Sequence, residues 1–145
     1  MEVLNNEILI AAPPQKVWRI LWDPDTYSQW TYYFSPDSHI HSDWKVGGKT
    51  LFADAKGNGM ISTIEQIEEF KVVIFKHLGM VQDGVEDFDS EEMKKWSGAL
   101  EKYFLEEVNG KTRLRVEVDT SKEYLEMMKN GFEKGFQIVK QLAEA

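Results

Sequence analysis

The pair Asn109-Gly110 stands between two runs of alternating apolar and polar residues, YFLEEV before it and KTRLRVEV after it. A two-residue type I′ turn needs φ > 0 at both central positions, which asparagine and glycine tolerate best, so the pair predicts a tight hairpin. Such a loop dictates register. Val108 faces Lys111, and each step outward pairs the next residues. Glu106 then falls opposite Arg113 and Lys102 opposite Glu117, two opposite-charge pairs worth roughly 0.2–1 kcal/mol each. The other face sets Leu105 against Leu114 and Tyr103 against Val116. Charge and hydrophobicity agree on a sheet with one wet face and one dry face. Glu101 has dry-face parity, opposite Val118; a frayed or bulged strand end is the preferred reading there.

Other segments follow the same logic. Residues 2–10 alternate imperfectly and read as a strand. Lys49–Ala55 and Met60–Glu68 read as a second hairpin around Lys56-Gly57-Asn58-Gly59. Val72–Leu78 reads as a strand with Val73, Phe75 and His77 inward and Lys76 toward water. Residues 31–42 read as an aromatic, polar loop, and 83–95 as a charged excursion.

Two helical regions frame the strands. Pro14 suits a first helical turn, and Asp23-Pro24 ends a helix because the residue before proline avoids the helical region. Around that helix Val17, Trp18, Ile20, Leu21 and Trp22 cover more than half the circumference, so it is wedged between other elements or encloses something. Residues 25–30 form another short helical turn. After Thr120-Ser121-Lys122-Glu123, read as a capping box, a long helix carries Leu125, Met128, Phe132, Phe136, Val139 and Ala143 on one stripe. Gly131 and Gly135 sit one turn apart beside that stripe. Each costs about 1 kcal/mol relative to alanine, which implies a notch for a close neighbour or a ligand. One helix must therefore cover the dry face of a whole antiparallel sheet, an α+β arrangement in which a twisted sheet curls around it.

Composition excludes several classes. The chain has 145 residues, no cysteine and a formal net charge of −8. Disulfides, thiolate metal sites and cysteine nucleophiles are absent. An acidic balance argues against nucleic acid and against an anionic membrane surface. The N-terminus lacks a basic n-region, and no run approaches the ~20 apolar residues of a membrane span, so a cytoplasmic protein is expected. His39-x-His41 lacks a third ligand at a recognised spacing. The acidic run from Asp87 to Glu92 lacks the glycine of a calcium loop and reads as solvated. No cofactor motif and no catalytic triad stand out.

The run ILIAAPPQKVWRILWDPDTYSQW, followed by DWKVGGK, resembles the opening of the START-like superfamily, also called SRPBCC or Bet v-type proteins. The apolar strand, Ala-Pro, Lys16-Val17-Trp18, Asp23-Pro24, Trp30, Trp44 with Gly47-Gly48, Val81 with Asp83-Gly84, and the terminal helix carry the likeness. Within the superfamily the chain is most similar to the branch named for the C-terminal domain of the activator of heat-shock protein 90 ATPase. The resemblance spans essentially the whole chain and implies one domain, residues 1–145, with a helix-grip fold. In that fold a curved antiparallel sheet wraps a long C-terminal helix, and two short helices follow the first strand. It also implies an apolar cavity between sheet and helix. The chaperone activator has a separate N-terminal domain, for which these residues leave no room, and no catalytic constellation of the enzyme branches matches.

On this reading the protein binds a small, mostly hydrophobic molecule. Trp30 and Tyr33 stand near the entrance, Phe75, Met128, Phe132 and Phe136 form the walls, and His77 and Tyr103 supply polar contacts. For Trp18 and Trp22 the plainer alternative is packing against sheet and helix. Two other functions stay open: an interaction module that forms a homodimer or binds a chaperone, and a cyclase- or hydrolase-like enzyme using the same cavity.

Overall fold

A computed structural model describes residues 1–145. Strand β1 (Glu2–Ile10) leads into helices α1 (Pro14–Trp22) and α2 (Pro24–Trp30) and a 3-10 turn at Thr31–Tyr33. Seven strands follow: β2 (His39–Ser42), β3 (Lys49–Ala53), β4 (Gly59–Glu68), β5 (Val72–Gln82), β6 (Val85–Asp87), β7 (Leu100–Val108) and β8 (Lys111–Thr120). Helix α3 (Glu91–Trp96) lies between β6 and β7, and α4 (Leu125–Glu144) comes last. The ladders are antiparallel, in the order β1-β8-β7-β5-β4-β3-β2, with β6 beside β5. This is the helix-grip arrangement: a curved sheet closed over one long helix.

The Asn109-Gly110 hairpin has the predicted register, from Val108 opposite Lys111 out to Glu101 opposite Val118. Both turn residues have positive φ, 52° and 80°. The cross-strand pairs form, with Arg113 to Glu106 at 3.6 Å and Lys102 to Glu117 at 3.9 Å. Strand β7 neither frays nor bulges at Glu101, contrary to the expectation. It continues in register against β8 and also against Phe75 of β5.

Three other expectations change. Residues 39–42 are an edge strand and not a loop, paired to β3 with His39 opposite Ala53. Residues 83–95 are charged and mostly exposed, as expected, yet they hold ordered structure. Asp83-Gly84 turns the chain into β6, Ser90 caps α3 by accepting from the Met93 N–H at 3.1 Å, and Met93 is fully buried. The capping box does not form. Thr120 is the last residue of β8, opposite Glu2, and α4 starts only at Leu125 after a turn. Alternation through Val116, Val118 and Thr120 keeps the threonine in the sheet, where a β-branched side chain packs well.

Two bulges bend the long β4–β5 ladder. Ser62 pairs with His77 but Ile61 pairs with Gly79, which leaves Leu78 unpaired; Glu65 is unpaired in the same way. An extra residue reverses the alternation and re-aims the side chains beyond it. Hence β5 runs past the predicted end at Leu78, and both His77 and Met80 reach the interior cavity.

The core gathers on the dry face. Ile10, Val17, Leu21, Ile64, Val73, Phe75, Leu114, Val116, Phe132, Phe136 and Val139 are buried there. Helix α4 is held at its C-terminal end, where the Ala11 N–H donates to Glu144 at 2.8 Å and Lys140 Nζ donates to the Leu9 carbonyl at 3.1 Å. The glycine notch receives neighbours. A Cβ on Gly135 would lie 2.5 Å from the Trp30 carbonyl oxygen, and one on Gly131 would lie 2.7 Å from the Phe34 ring.

Gly135→Ala is expected to destabilise the fold by about 1–3 kcal/mol, as overpacking does, although alanine favours a helix by about 1 kcal/mol. Gly131→Ala meets a ring that can rotate and should be milder. Urea unfolding of both variants checks this; a Gly135→Ala midpoint at or above the wild-type value would show that the close approach does not constrain the helix.

Candidate functional site

Between the sheet and the N-terminal half of α4 lies a cavity of about 480 Å³. Its inner wall is aromatic: Trp30 from α2, Tyr103 from β7 and Phe132 from α4. Phe52, Met60 and Met80 line the sheet side, and Tyr124, Met127 and Met128 line the helix side. Trp96 and Glu92 of α3 close one flank. The cavity exists there because α4 is buried from Gly131 onward, whereas Leu125 to Met128 are only partly covered.

A polar cluster sits among these apolar walls. Glu101 on β7 and His77 on β5 project to the same side, and His77 Nε2 lies 3.3 Å from Glu101 Oε1. The Tyr103 hydroxyl donates to Glu101 Oε2. On the other side of the imidazole, Ser62 Oγ lies 2.6 Å from His77 Nδ1. A ring carrying its proton on Nε2 serves both contacts with one tautomer, since Nδ1 then accepts the serine hydroxyl hydrogen. Ser62 is fully buried and does not line the cavity. It therefore orients the imidazole and is not placed to act as a nucleophile.

Electrostatics agree with this geometry. Burial raises the Tyr103 phenol pKa well above its ordinary value of 10.0, and the nearby Glu101 raises it further by Coulombic repulsion and by accepting its hydrogen bond. Burial likewise raises Tyr27, with Glu101 as the second cause. Both phenols stay protonated at neutral pH. Tyr103 is spoken for by Glu101, and both carboxylate oxygens keep acceptor capacity toward the cavity. Thr120 also lines the cavity, is fully buried, and has a hydroxyl without a hydrogen-bond partner.

Of the eight residues singled out from sequence, Trp30, His77, Tyr103, Met128 and Phe132 line one cavity. Trp30 is not at the entrance: it is 1% exposed and its indole N–H donates to the Leu21 carbonyl at 2.9 Å. Tyr33 is 42% exposed on the outer surface, with Lys134 Nζ 5.1 Å from its ring centre. Phe75 and Phe136 are wholly buried behind the wall and do not line the cavity. Glu101 is the main residue that sequence reasoning missed. Its dry-face parity was visible; its partner His77 was not, because no turn sets the β5–β7 register.

No group of three or more histidine, aspartate or glutamate side chains is placed to hold a metal ion. No helix is long and apolar enough to cross a membrane.

Fold and cavity together define the class, a helix-grip protein of the START-like superfamily. Residues 11–145 match the family described as "Activator of Hsp90 ATPase homolog 1-like protein", and the chain belongs to that family. Among curated proteins, no relative matches the sequence. Several solved structures share the fold. The Aha1 dimer from Colwellia psychrerythraea superposes with a TM-score of 0.73 at 18% identity, over 99% of this chain and 97% of that one. MLL2253 from Mesorhizobium loti gives 0.72 at 20% identity, over 97% and 96%. CalU16 from Micromonospora echinospora gives 0.66 at 20% identity, over 97% and 75%.

The buried phenols predict how stability falls in alkali. Below about pH 10 they are protonated both folded and unfolded and contribute no slope. Above it the unfolded chain releases protons that the native state retains, so stability falls by about 1.4 kcal/mol per pH unit for each phenol. Denaturant unfolding between pH 9 and 11 should show Tyr27→Phe and Tyr103→Phe each with a shallower decline; slopes equal to the wild type would contradict the burial.

Proposed function

We propose that the chain, acting as one unit, binds a small, mostly apolar molecule in this cavity. The observation that carries the reading is the unfilled volume itself, about 480 Å³ between an aromatic wall and a methionine-rich helix end. That size lies within the ~300–1,000 Å³ of small-molecule pockets. Burial of apolar ligand surface contributes roughly 25 cal/mol per Å² before the costs of association. Met60, Met80, Met127 and Met128 give a wall that adapts to guests of different outline.

Self-association is a second reading. It rests on the dimer described for the Colwellia protein and on Val3 and Leu9, exposed on edge strand β1. An open strand edge is a ready surface for pairing. Sedimentation velocity from micromolar to hundreds of micromolar protein should show a dimer that Leu9→Lys weakens; a monomer throughout would end this reading.

For ligand binding, Nile red is a suitable probe, neutral and without a hydrogen-bond donor. Its fluorescence should rise saturably at one site per chain. Met128→Trp fills the cavity from a partly exposed position and should weaken that binding at least tenfold while leaving the fold intact by circular dichroism. No saturable signal from the wild type, or equal affinity in the variant, would refute the cavity as the site.

A further inference from the structure

We infer that the guest of this cavity carries a hydrogen-bond donor, a hydroxyl or a protonated amine, at its polar end and does not carry a carboxylate. The inference rests on the ligand-binding reading above and adds the chemistry of the head group.

Charge is the first argument. The cavity is lined by four carboxylates, Asp54, Glu92, Glu101 and Asp119, and by no lysine or arginine. His77 is the sole lining side chain that can become cationic, and it already faces Glu101 at 3.3 Å. Even a protonated His77 only cancels that one carboxylate. An anionic head would thus be buried without a counter-charge, which is strongly unfavourable.

Hydrogen-bonding capacity is the second. Asp54 accepts from the Lys56 and Asn58 backbone N–H groups, and Asp119 accepts from that of Leu100. Their work is local. Glu101 differs, because its side chain is 14% exposed and lies at the inner end of an apolar volume. Each oxygen has one protein neighbour, His77 or Tyr103, and a further lone pair. A carboxylate only accepts, so its missing partner is a donor. The aromatic wall of Trp30, Phe52 and Tyr103 also suits a cationic head.

Displacement of Nile red at pH 7 by three molecules with one naphthalene body tests the inference: 2-naphthylmethanamine, 2-naphthylmethanol and 2-naphthoate. The amine and the alcohol are expected to bind at least tenfold more tightly than the carboxylate. Glu101→Gln should narrow the amine-to-carboxylate gap at least fivefold and leave the alcohol closer to its original affinity. Should the glutamine variant fold poorly, the ranking of the three molecules on the wild type still decides the matter. A carboxylate that binds as tightly as the amine, or a gap unaffected by a folded Glu101→Gln variant, overturns the head-group inference while Nile red binding still upholds the cavity. Absence of Nile red binding by the wild type would instead refute the reading beneath it.

Discussion

The contact between the glycine flank of α4 and the α2 segment sets the shape of everything near it. Gly135 meets the Trp30 backbone and Gly131 meets the Phe34 ring, both too closely for a side chain. Together with Glu144 and Lys140 clamped to the end of β1, this seats the C-terminal two-thirds of the helix against the rest of the fold. The first turn begins without a side-chain cap at Tyr124 and is held only by partial packing, with the Tyr124 ring 5.8 Å from Trp96. The helix is thus closely seated at one end and only partly covered at the other, beside which the cavity lies. Methionines on the loose end and aromatics on the tight end fit that geometry.

The polar cluster in the cavity wall is built as a supported acceptor. Tyr103 holds one oxygen of Glu101, His77 faces the other, and Ser62 holds His77 from behind. The bulge at Leu78 matters here, because it lets His77 and Met80 reach the same interior. A lone carboxylate in so apolar a place would be expensive to keep. Surrounded by fixed partners it becomes a specific feature, at a position where plain core packing would favour leucine or valine. Local conflict with packing rules of this kind marks functional sites more often than structural ones.

How much of this was legible in the sequence depended on whether local chemistry or remote pairing decided the matter. The hairpin at Asn109-Gly110 was readable to the residue, since turn type, charge pairs and alternation all pointed one way. So was the span of α1, bounded by Pro14 and Asp23-Pro24. The start of α4 was misread because Thr120-x-x-Glu123 satisfies a capping pattern locally, while a strand partner, Glu2, over a hundred residues away claims the threonine. Strand β2 and the end of β5 were missed for related reasons. One is a short edge whose pattern is blurred by His39 and His41, and the other is interrupted by a bulge and Gly79. Within the site, His77 and Tyr103 were found from inward parity. Glu101 had the same parity and was set aside, because a carboxylate on a dry face looks like an error until its partners are known. Those partners come from β5, whose alignment with β7 no turn dictates.

The tryptophan-rich segment after β1 gains its meaning from the same asymmetry. Trp22 packs against Trp18, Tyr27, Trp30, Trp44, Phe75 and Tyr103, with ring centres 5.0–6.4 Å apart. Of these rings, Tyr27, Trp30 and Tyr103 line the cavity and Phe75 is buried beside them, whereas Trp18, Trp22 and Trp44 line a separate recess with Arg19 and Glu69. Aromatic pairs of this kind add roughly 0.5–1.5 kcal/mol each beyond the area they bury. A cavity is stable only if its lining does not collapse into it, and collapse is easiest where side chains are slender and mobile. A wall of interlocked rings, with the Trp30 indole tied to the Leu21 carbonyl, cannot shift one member without disturbing several. The density of aromatic residues in α1 and α2 is therefore best understood as the rigid half of a pocket whose other half is soft, so that a guest is fitted by the methionines and oriented by the Glu101 cluster that the rings hold in place.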